Sequence, residues 1–394
     1  MRSVKAGWRL TLLAAGLVSG AATARAQTAA GDRAFDRTAD SAAVTDTSAR
    51  TSAPRPAPGS GTWPIVLPGL TYAPETQWAA AIGAFKVSRT RAPNADQRPN
   101  TYTLRGLYSQ RHQLQTSISL DRWRADNAGR FELDAAFSRF PNKFYGVSAT
   151  LRDTAEQYTP RTASLVGSYI HRVRPGLYVG GRVALEDGRF TSVAPDGRLQ
   201  QLLTGPTFTG GEQWRTTAVT LIANWDTRDL LFFPSRGSAV WLNVGRALGL
   251  PGSTHQFTRV SLDARRYRPL GRGHVLAVQG FGIMTAGDVP VEQLPALGGP
   301  TLLRGYFAGR FRDKAAVLVQ SEYRTPVWRR LGAVGFASAG TVAPSLGALR
   351  AADARVGWGF GLRLALNGER LNLRVDRGFG SGSRGFYISA GEAF

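Results

Sequence analysis

The last eleven residues of the sequence read Arg384-Gly-Phe-Tyr-Ile-Ser-Ala-Gly-Glu-Ala-Phe394, an alternating strand that ends in an aromatic residue. Alternation places Phe386, Ile388 and Phe394 on one face. A strand that ends in this way is typical of the closing strand of an outer-membrane β-barrel. A strand of a soluble sheet can also end a chain, so the rest of the sequence has to decide between the two.

The first 26 residues have the pattern of a secretory signal peptide. Arg2, Lys5 and Arg9 precede a short apolar run, and Ala24-Arg25-Ala26 offers small residues at the cleavage positions. We therefore predict a signal peptide at 1–26. No later stretch reaches the roughly 20 apolar residues that a membrane-spanning helix needs. Cysteine is absent, so backbone pairing and packing must hold an exported chain together without disulfides.

The next segment, 27–62, is rich in small and polar residues and in proline, and it has scarcely an apolar residue to bury. This composition predicts a disordered periplasmic tail. The formal net charge of +22 suggests a nucleic-acid partner at first sight. However, the arginines are spread singly along strand-like segments rather than in runs, which favours a solvated barrel lumen and membrane rims and argues against nucleic acid.

From 63 onward the sequence predicts a single barrel domain, 63–394. The clearest strand is Arg355-Val-Gly-Trp-Gly-Phe-Gly-Leu-Arg-Leu-Ala-Leu366, which alternates large apolar residues with glycine and arginine. One face suits lipid and the other suits a watery interior. Similar segments predict an all-β fold, a transmembrane antiparallel β-barrel of about 16 strands. The expected strands include 78–88 as the first and 144–152 as the fifth. The connections at 110–111, 141–143 and 367–368 are expected among the short periplasmic turns, and 187–213, 285–312 and 341–353 among the long outer loops.

Five motifs then resemble one family in the same order along the chain. They are the stretches Pro68–Thr76, Phe140-Pro-Asn-Lys-Phe-Tyr-Gly146, Asp226–Gly237, Leu297-Gly-Gly-Pro-Thr-Leu-Leu-Arg-Gly-Tyr306 and the closing strand. Together they resemble the outer-membrane assembly and two-partner-secretion barrels, that is, the BamA/TamA-type or bacterial surface antigen superfamily. The resemblance covers about residues 64 to 394.

The resemblance implies a loop folded into the lumen with an Arg-Gly-aromatic tip, carried here by Gly298, Gly299, Arg304, Gly305 and Tyr306. Two features depart from the family pattern. The family often has polypeptide-transport-associated domains before the barrel, and we do not expect such domains here. The family also commonly has an acid at the position where this sequence has Ser338. The alternation of the strands points Glu322 and Asp376 inward, so we expect Glu322 first and Asp376 second to bind the Arg304 guanidinium. The resemblance also marks Phe386, Ile388 and Phe394 as the C-terminal barrel signal.

Two functions stay open at this point. The resemblance implies a bacterial outer-membrane barrel that inserts or translocates polypeptide, or lipid. The alternative is a passive, anion-leaning pore. We expect no enzyme, no cofactor and no metal. A hydrolase would need a histidine beside a serine or an acid, and there are only four histidines, of which His112 and His171 stand next to arginine at strand ends. Expected partners are outer-membrane lipid, the barrel-insertion machinery during biogenesis, and a separate periplasmic protein.

Overall fold

The computed structural model describes residues 65–88, 100–149, 154–205, 211–230, 233–366 and 372–394. The predicted signal peptide at 1–26, the predicted tail at 27–62 and the predicted turn at 367–368 lie outside these residues. The predicted barrel domain is described from Ile65 onward, apart from the gaps between these ranges.

Within these ranges, sixteen long strands form one closed sheet. In chain order they are β1 (Ile65–Ala73), β2 (Gln77–Ser88), β3 (Asn100–Ser109), β4 (Leu114–Trp123), β5 (Gly129–Arg139), β7 (Glu156–Arg174), β8 (Leu177–Val193), β9 (Gln213–Asp226), β10 (Gly237–Leu248), β11 (Phe257–Gly271), β12 (His274–Gly287), β15 (Ala315–Trp328), β16 (Leu331–Ala343), β17 (Arg355–Ala365), β18 (Asn372–Gly380) and β19 (Ser383–Ala390). The remaining strands are short: β6 (Asn142–Phe144), β13 (Ala296–Leu297) and β14 (Phe311–Arg312).

Each long strand pairs antiparallel with the next, and β19 pairs back onto β1. β6 lies beside β7, while β13 and β14 form a small hairpin of their own. Closure brings the two edges of a sheet together, which is what allows strands to lie in a bilayer. The prediction of an all-β antiparallel barrel of about sixteen strands is confirmed.

The alternation in β17 shows how the sequence sets the two faces of the wall. Val356, Trp358, Phe360 and Leu362 are each more than half exposed on the outside. The residues between them are buried and face the lumen. The inward-facing glycines have no side chain, so they leave space beside this strand for another segment of the chain to enter the lumen.

One predicted strand is wrong and one observed strand was not predicted, so the total is still right. β1 is a true strand, although Pro68 and Gly69 make its sequence a poor match to a strand pattern. The expected strand at 144–152 is reduced to β6, which ends at Phe144. Gly146 has a φ of +102°, which breaks an extended chain, and residues 150–152 lie outside the described ranges.

This shift moves two connections to the other end of the barrel. With β1 counted, 110–113 and the described residues of 140–155 lie at the same end as those of 194–212, 288–314 and 344–354; we call this the loop end and the opposite one the turn end. Gln113 demonstrates the arrangement, because its Nε2 donates to the main-chain oxygens of Glu75 and Pro141, both at 2.9 Å. The prediction that 110–111 and 141–143 belong with the short turns is therefore wrong.

The lumen is filled at the loop end. A short helix, α1 (Arg198–Thr204), directs Leu199 and Leu203 into a buried cluster there. The other large members of that cluster are Phe144, Tyr158, Phe190, Trp214 and Phe257. No helix in the described part of the chain is long and apolar enough to cross a membrane.

Candidate functional site

Residues 288–314 connect β12 to β15 and fold into the lumen; we call them the lumen loop. Nearly every residue from Val289 to Tyr306 is buried. The hairpin of β13 and β14 narrows the loop at its base. The tip then lies against the inner faces of β15, β16, β17 and β18.

Two glycines allow the tip its close approach to other main-chain atoms. Gly298 has a φ of +116°, and a side chain there would begin 2.0 Å from the main-chain oxygen of Phe307. Gly305 has a φ of +108°, and a side chain there would begin 2.6 Å from the main chain of Phe379 on β18. Gly299 donates its N–H to the main-chain oxygen of Tyr306 at 3.0 Å, which closes the turn.

Arg304 lies at the tip, 1% exposed, between two carboxylates. Its Nη2 is 2.6 Å from Oε1 of Glu322 on β15, and its Nη1 is 2.8 Å from Oδ2 of Asp376 on β18. Its guanidinium also stacks over the ring of Phe336, 3.5 Å from the ring centre. The structure thus brings both expected partners to Arg304 at once, because strand alternation directs the two carboxylates into the lumen and the folded loop carries Arg304 to them.

The two carboxylates belong to a wider buried network. Arg324 contacts Glu322 at 2.9 Å, and Arg363 contacts Asp376 at 2.5 Å. Arg374 lies 3.5 Å from Asp376. Each acid therefore has a partner on the barrel wall besides Arg304, and the wall holds both carboxylates in position for the loop. Their buried charges are compensated, which a carboxylate in this environment requires.

Ser338 on β16 does not replace the acid that the family resemblance leads one to expect. Its hydroxyl donates to the main-chain oxygen of Gly357 at 3.1 Å. A side chain at Gly357 would begin 2.4 Å from the main-chain oxygen of Arg304. In this chain Asp376, two strands further on, supplies the second carboxylate.

Tyr306 and Tyr387 fix the main chain of the tip. The Tyr306 hydroxyl donates to the main-chain oxygen of Val356 at 3.0 Å and accepts from the N–H of Ser381 at 2.9 Å. Tyr387 on β19 accepts from the N–H of Gly305 and donates to the main-chain oxygen of Tyr306, both at 3.2 Å. Sequence reasoning missed Tyr387, although it is the inward residue between the outward-facing Phe386 and Ile388.

Phe394 does not share the outward face of Phe386 and Ile388, which corrects the predicted closing strand. β19 ends at Ala390, and Gly391, with a φ of +84°, turns the chain inward. The Phe394 ring is buried against Tyr267. Its main-chain oxygen accepts from Nη2 of Arg324 at 2.9 Å.

Glu392 joins this inward segment to the network. Its carboxylate is 2.8 Å from Nε of Arg363 and accepts from Nδ2 of Asn372 at 2.6 Å. Residues 391–394 are therefore connected through Arg324 and Arg363 to the acids that bind Arg304. Sequence reasoning missed Glu392 because the alternating pattern continues to the end of the sequence. Such a pattern gives no sign of a turn at Gly391.

The base of the lumen loop has a second buried network. Nη1 of Arg312 is 3.1 Å from Oε2 of Glu292, and the Tyr158 hydroxyl donates to the same Glu292 oxygen at 3.0 Å. Gln293 donates to Oε1 of Glu186 on β8 at 2.8 Å. Burial opposes the charge of Arg312, but Tyr158 and Glu292 outweigh it and raise the pKa of the guanidinium above its usual value.

The family is decided by a match between residues 94–394 and the model of the Omp85 superfamily domain. The chain belongs to the Omp85 superfamily. Its fold is similar to that of BamA from Haemophilus ducreyi lacking POTRA domains 1-3, with a TM-score of 0.61 at 15% identity over 83% of this chain and 70% of that one.

Two further solved structures are similar to this Omp85 barrel. CdiB from Acinetobacter baumannii matches with a TM-score of 0.53 at 11% identity, over 82% of this chain and 59% of that one. CdiB from Escherichia coli matches with a TM-score of 0.55 at 10% identity, over 84% and 64%. The chain thus spans less than two thirds of either CdiB chain. At these identities the likeness shows a shared fold.

The seam of this Omp85 barrel, where β19 meets β1, is short. β1 pairs with β2 along its whole length, from Ile65 to Ala73. Within the described residues, its pairing with β19 is confined to Tyr72 and Ile388, supported by a hydrogen bond of 2.6 Å from the Thr71 hydroxyl to the Ile388 oxygen. The register would place 391–394 opposite 66–69, but these residues turn into the lumen instead. Residues 65–69, at the turn end of β1, therefore have no β19 residue beside them.

Proposed function

We propose that this Omp85 barrel lies in a bacterial outer membrane and takes part in inserting or translocating polypeptide, or lipid. The observation that carries the proposal is the seam, which is registered at a single residue pair while the edge of β1 stays open. An open strand edge presents main-chain donors and acceptors, and it is a template on which another extended chain can add a strand.

The filled lumen supports this function over a passive, anion-leaning pore. Arginines would attract anions only where their charge is free, and Arg304, Arg324 and Arg363 are bound to buried carboxylates. The lumen loop and the cluster beneath α1 also occupy the loop end. These contacts favour a barrel that acts on its substrate at the open edge of β1, with its interior occupied by the lumen loop.

The proposal includes the partners expected from the sequence. The outer band of apolar side chains suits outer-membrane lipid, and the closing strand would be read by barrel-insertion machinery during biogenesis. A separate periplasmic protein would deliver the substrate. We propose a non-enzymatic role without a cofactor or nucleic acid.

A disulfide across the seam tests the function. The sequence has no cysteine, so Tyr72→Cys with Ile388→Cys can be joined without competing thiols. A matched control joins Leu104→Cys with Ile118→Cys, an outward pair on the regular neighbours β3 and β4. In proteoliposomes that receive a urea-denatured outer-membrane barrel, oxidation of the seam pair should stop insertion and reduction should restore it.

The control pair should insert its substrate equally well when oxidised and when reduced. Insertion that proceeds through an oxidised seam would contradict the proposed use of the β1 edge. Steady ion conductance of the unmodified protein in planar bilayers, with no insertion in either state, would favour the pore.

A further inference from the structure

The motif Phe140-Pro-Asn-Lys-Phe-Tyr-Gly146 has no part in the site described above, yet it lies directly on the lumen loop. We call residues 140–149 the latch segment. Ser148 donates its N–H to the main-chain oxygen of Arg312 at 2.8 Å, and the two residues form an isolated β-bridge. The segment thus reaches the base of the loop from the opposite wall of the barrel.

Tyr145 makes the principal side-chain contacts of the latch segment. Its ring is 5.8 Å from the ring of Phe307, and the guanidinium of Arg310 lies 4.0 Å from its centre. Lys143 places its ammonium 5.8 Å from the centre of the Phe307 ring. Tyr145 is buried, so the contacts with Phe307 and Arg310 are shielded from solvent.

The part of the loop that Tyr145 contacts is the turn by which the loop leaves the lumen. Arg310 donates its N–H to the main-chain oxygen of Phe307 at 3.0 Å, and Gly309 has a φ of +73°. This turn follows the tip residues Arg304 and Tyr306 directly. A contact that holds the turn restrains the tip without touching it.

The latch segment is itself fixed at both ends. Gln113, fully buried, binds Pro141 and also Glu75 in the turn beside the seam. Arg355 on β17 donates from Nε and Nη2 to the main-chain oxygen of Ala149, both at 3.2 Å. The segment therefore connects the first turn of the barrel, the lumen loop and β17.

We propose that the latch segment keeps the lumen loop inside the barrel, with Tyr145 as the positioning residue. Release of Tyr145 frees the turn at 307–310 and lets the tip leave its carboxylates. This restraint rests on the proposed function and adds to it what holds the loop in place. Its test measures release of the loop and is separate from the measurement of insertion.

A single reporter cysteine tests the latch. Leu302→Cys places a thiol at a position that is 8% exposed in the tip, and the sequence has no other cysteine. Adding Tyr145→Ala should raise the rate of maleimide labelling roughly tenfold, as expected for loss of one aromatic and one cation–π contact. Tyr145→Phe keeps the ring and should stay within about twofold of the reporter alone.

Two further variants make the test specific. Tyr178→Ala removes a buried tyrosine in a separate cluster with Trp123, Ile170 and Ile222, and should leave the rate unchanged. Arg310→Gln removes the cation–π contact with Tyr145 and keeps the Tyr145 ring. It should raise the rate roughly threefold, and it tests the latch if Tyr145→Ala fails to fold.

An unchanged rate in both Tyr145→Ala and Arg310→Gln, beside a raised rate in Arg304→Ala, would reject the latch and leave the account of the tip intact. Insertion measured on the same proteins is a separate outcome. A released loop with no insertion activity in any variant would support the latch and contradict the proposed function.

Discussion

Arg304 and Asp376 are joined at 2.8 Å, although one is at the tip of a loop and the other is on the penultimate strand of the barrel. Glu322 reaches the same guanidinium from β15 at 2.6 Å. The loop is therefore bound to two separated parts of the wall by one side chain, and the free energy of that attachment can be measured.

A double-mutant cycle on Arg304 and Glu322 should give a coupling energy of about 1–3 kcal/mol, because each single change leaves a buried charge without one of its partners. Arg304→Ala and Glu322→Ala would each raise protease access to the loop, and the double variant would cost less than their sum. The measurement is the loop-cleavage rate at several protease concentrations. Strict additivity would reject Glu322 as a partner.

The same cycle on Arg304 and Asp376 should also show coupling, because both acids contact the guanidinium. Asp187 and Arg215 provide the matched control, an ion pair at 2.9 Å with both side chains 61% exposed. That pair should couple by less than about 1 kcal/mol. Equal coupling in the buried and exposed pairs would contradict the assignment.

Phe394→Ala should destabilise the barrel more than Phe386→Ala. Phe394 is buried at the turn end, whereas Phe386 is half-buried on the outer face of β19. Truncation of a buried phenylalanine costs roughly 3–5 kcal/mol, and half-burial reduces that cost. The migration of unboiled protein after heating gives the two midpoints, and membrane levels of Phe394→Ser report assembly. Equal midpoints and unreduced levels would argue against the inward position.

Glu75 should make stability depend on pH. It lies in the turn between β1 and β2, and among the described residues its two carboxylate oxygens are buried without a hydrogen-bond partner. Burial raises the pKa of Glu75 to about 7, against smaller opposing effects from its own backbone and from Arg111. Because the folded pKa lies above the unfolded value, this contribution is fully present below about pH 4.5 and is lost as the pH rises through 7.

Glu75→Gln should therefore remove a fall in thermal midpoint between about pH 5 and 7, and should stabilise the barrel at pH 8. The upper limit for this contribution is about 3 kcal/mol. An unchanged pH profile in Glu75→Gln would show that another group is responsible.

The barrel and the inward-facing acids of the ion network could be predicted because strand alternation decides which residues face inward. Glu322 and Asp376 follow from that rule, whereas Arg304 came from the resemblance of its loop motif to the family, and the pairing of opposite charges joined them. Tyr387 could have been found by the same rule, since it alternates with Phe386 and Ile388.

Other features depend on contacts between distant parts of the chain. The positive φ of Gly391 turns Glu392 and Phe394 inward, and a regular alternating pattern gives no sign of it. Phe144 and Tyr145 look like part of a strand, but their rings pack on Tyr158 and on the lumen loop. β1 escaped detection because Pro68 interrupts it at an edge where proline is tolerated.

Hydrogen–deuterium exchange of β1 reports directly whether the seam-facing edge of this strand is open. About half of the main-chain groups in 65–69, the part of β1 with no β19 residue beside it, face the seam, since main-chain groups of a strand alternate between its two neighbours. The open edge predicts that the amides among them exchange within minutes in detergent or nanodiscs, while those of β17, paired on both sides, stay protected for hours. Equal protection of β1 and β17 would mean that the seam is closed along its length, and it would contradict the proposed role of the open β1 edge.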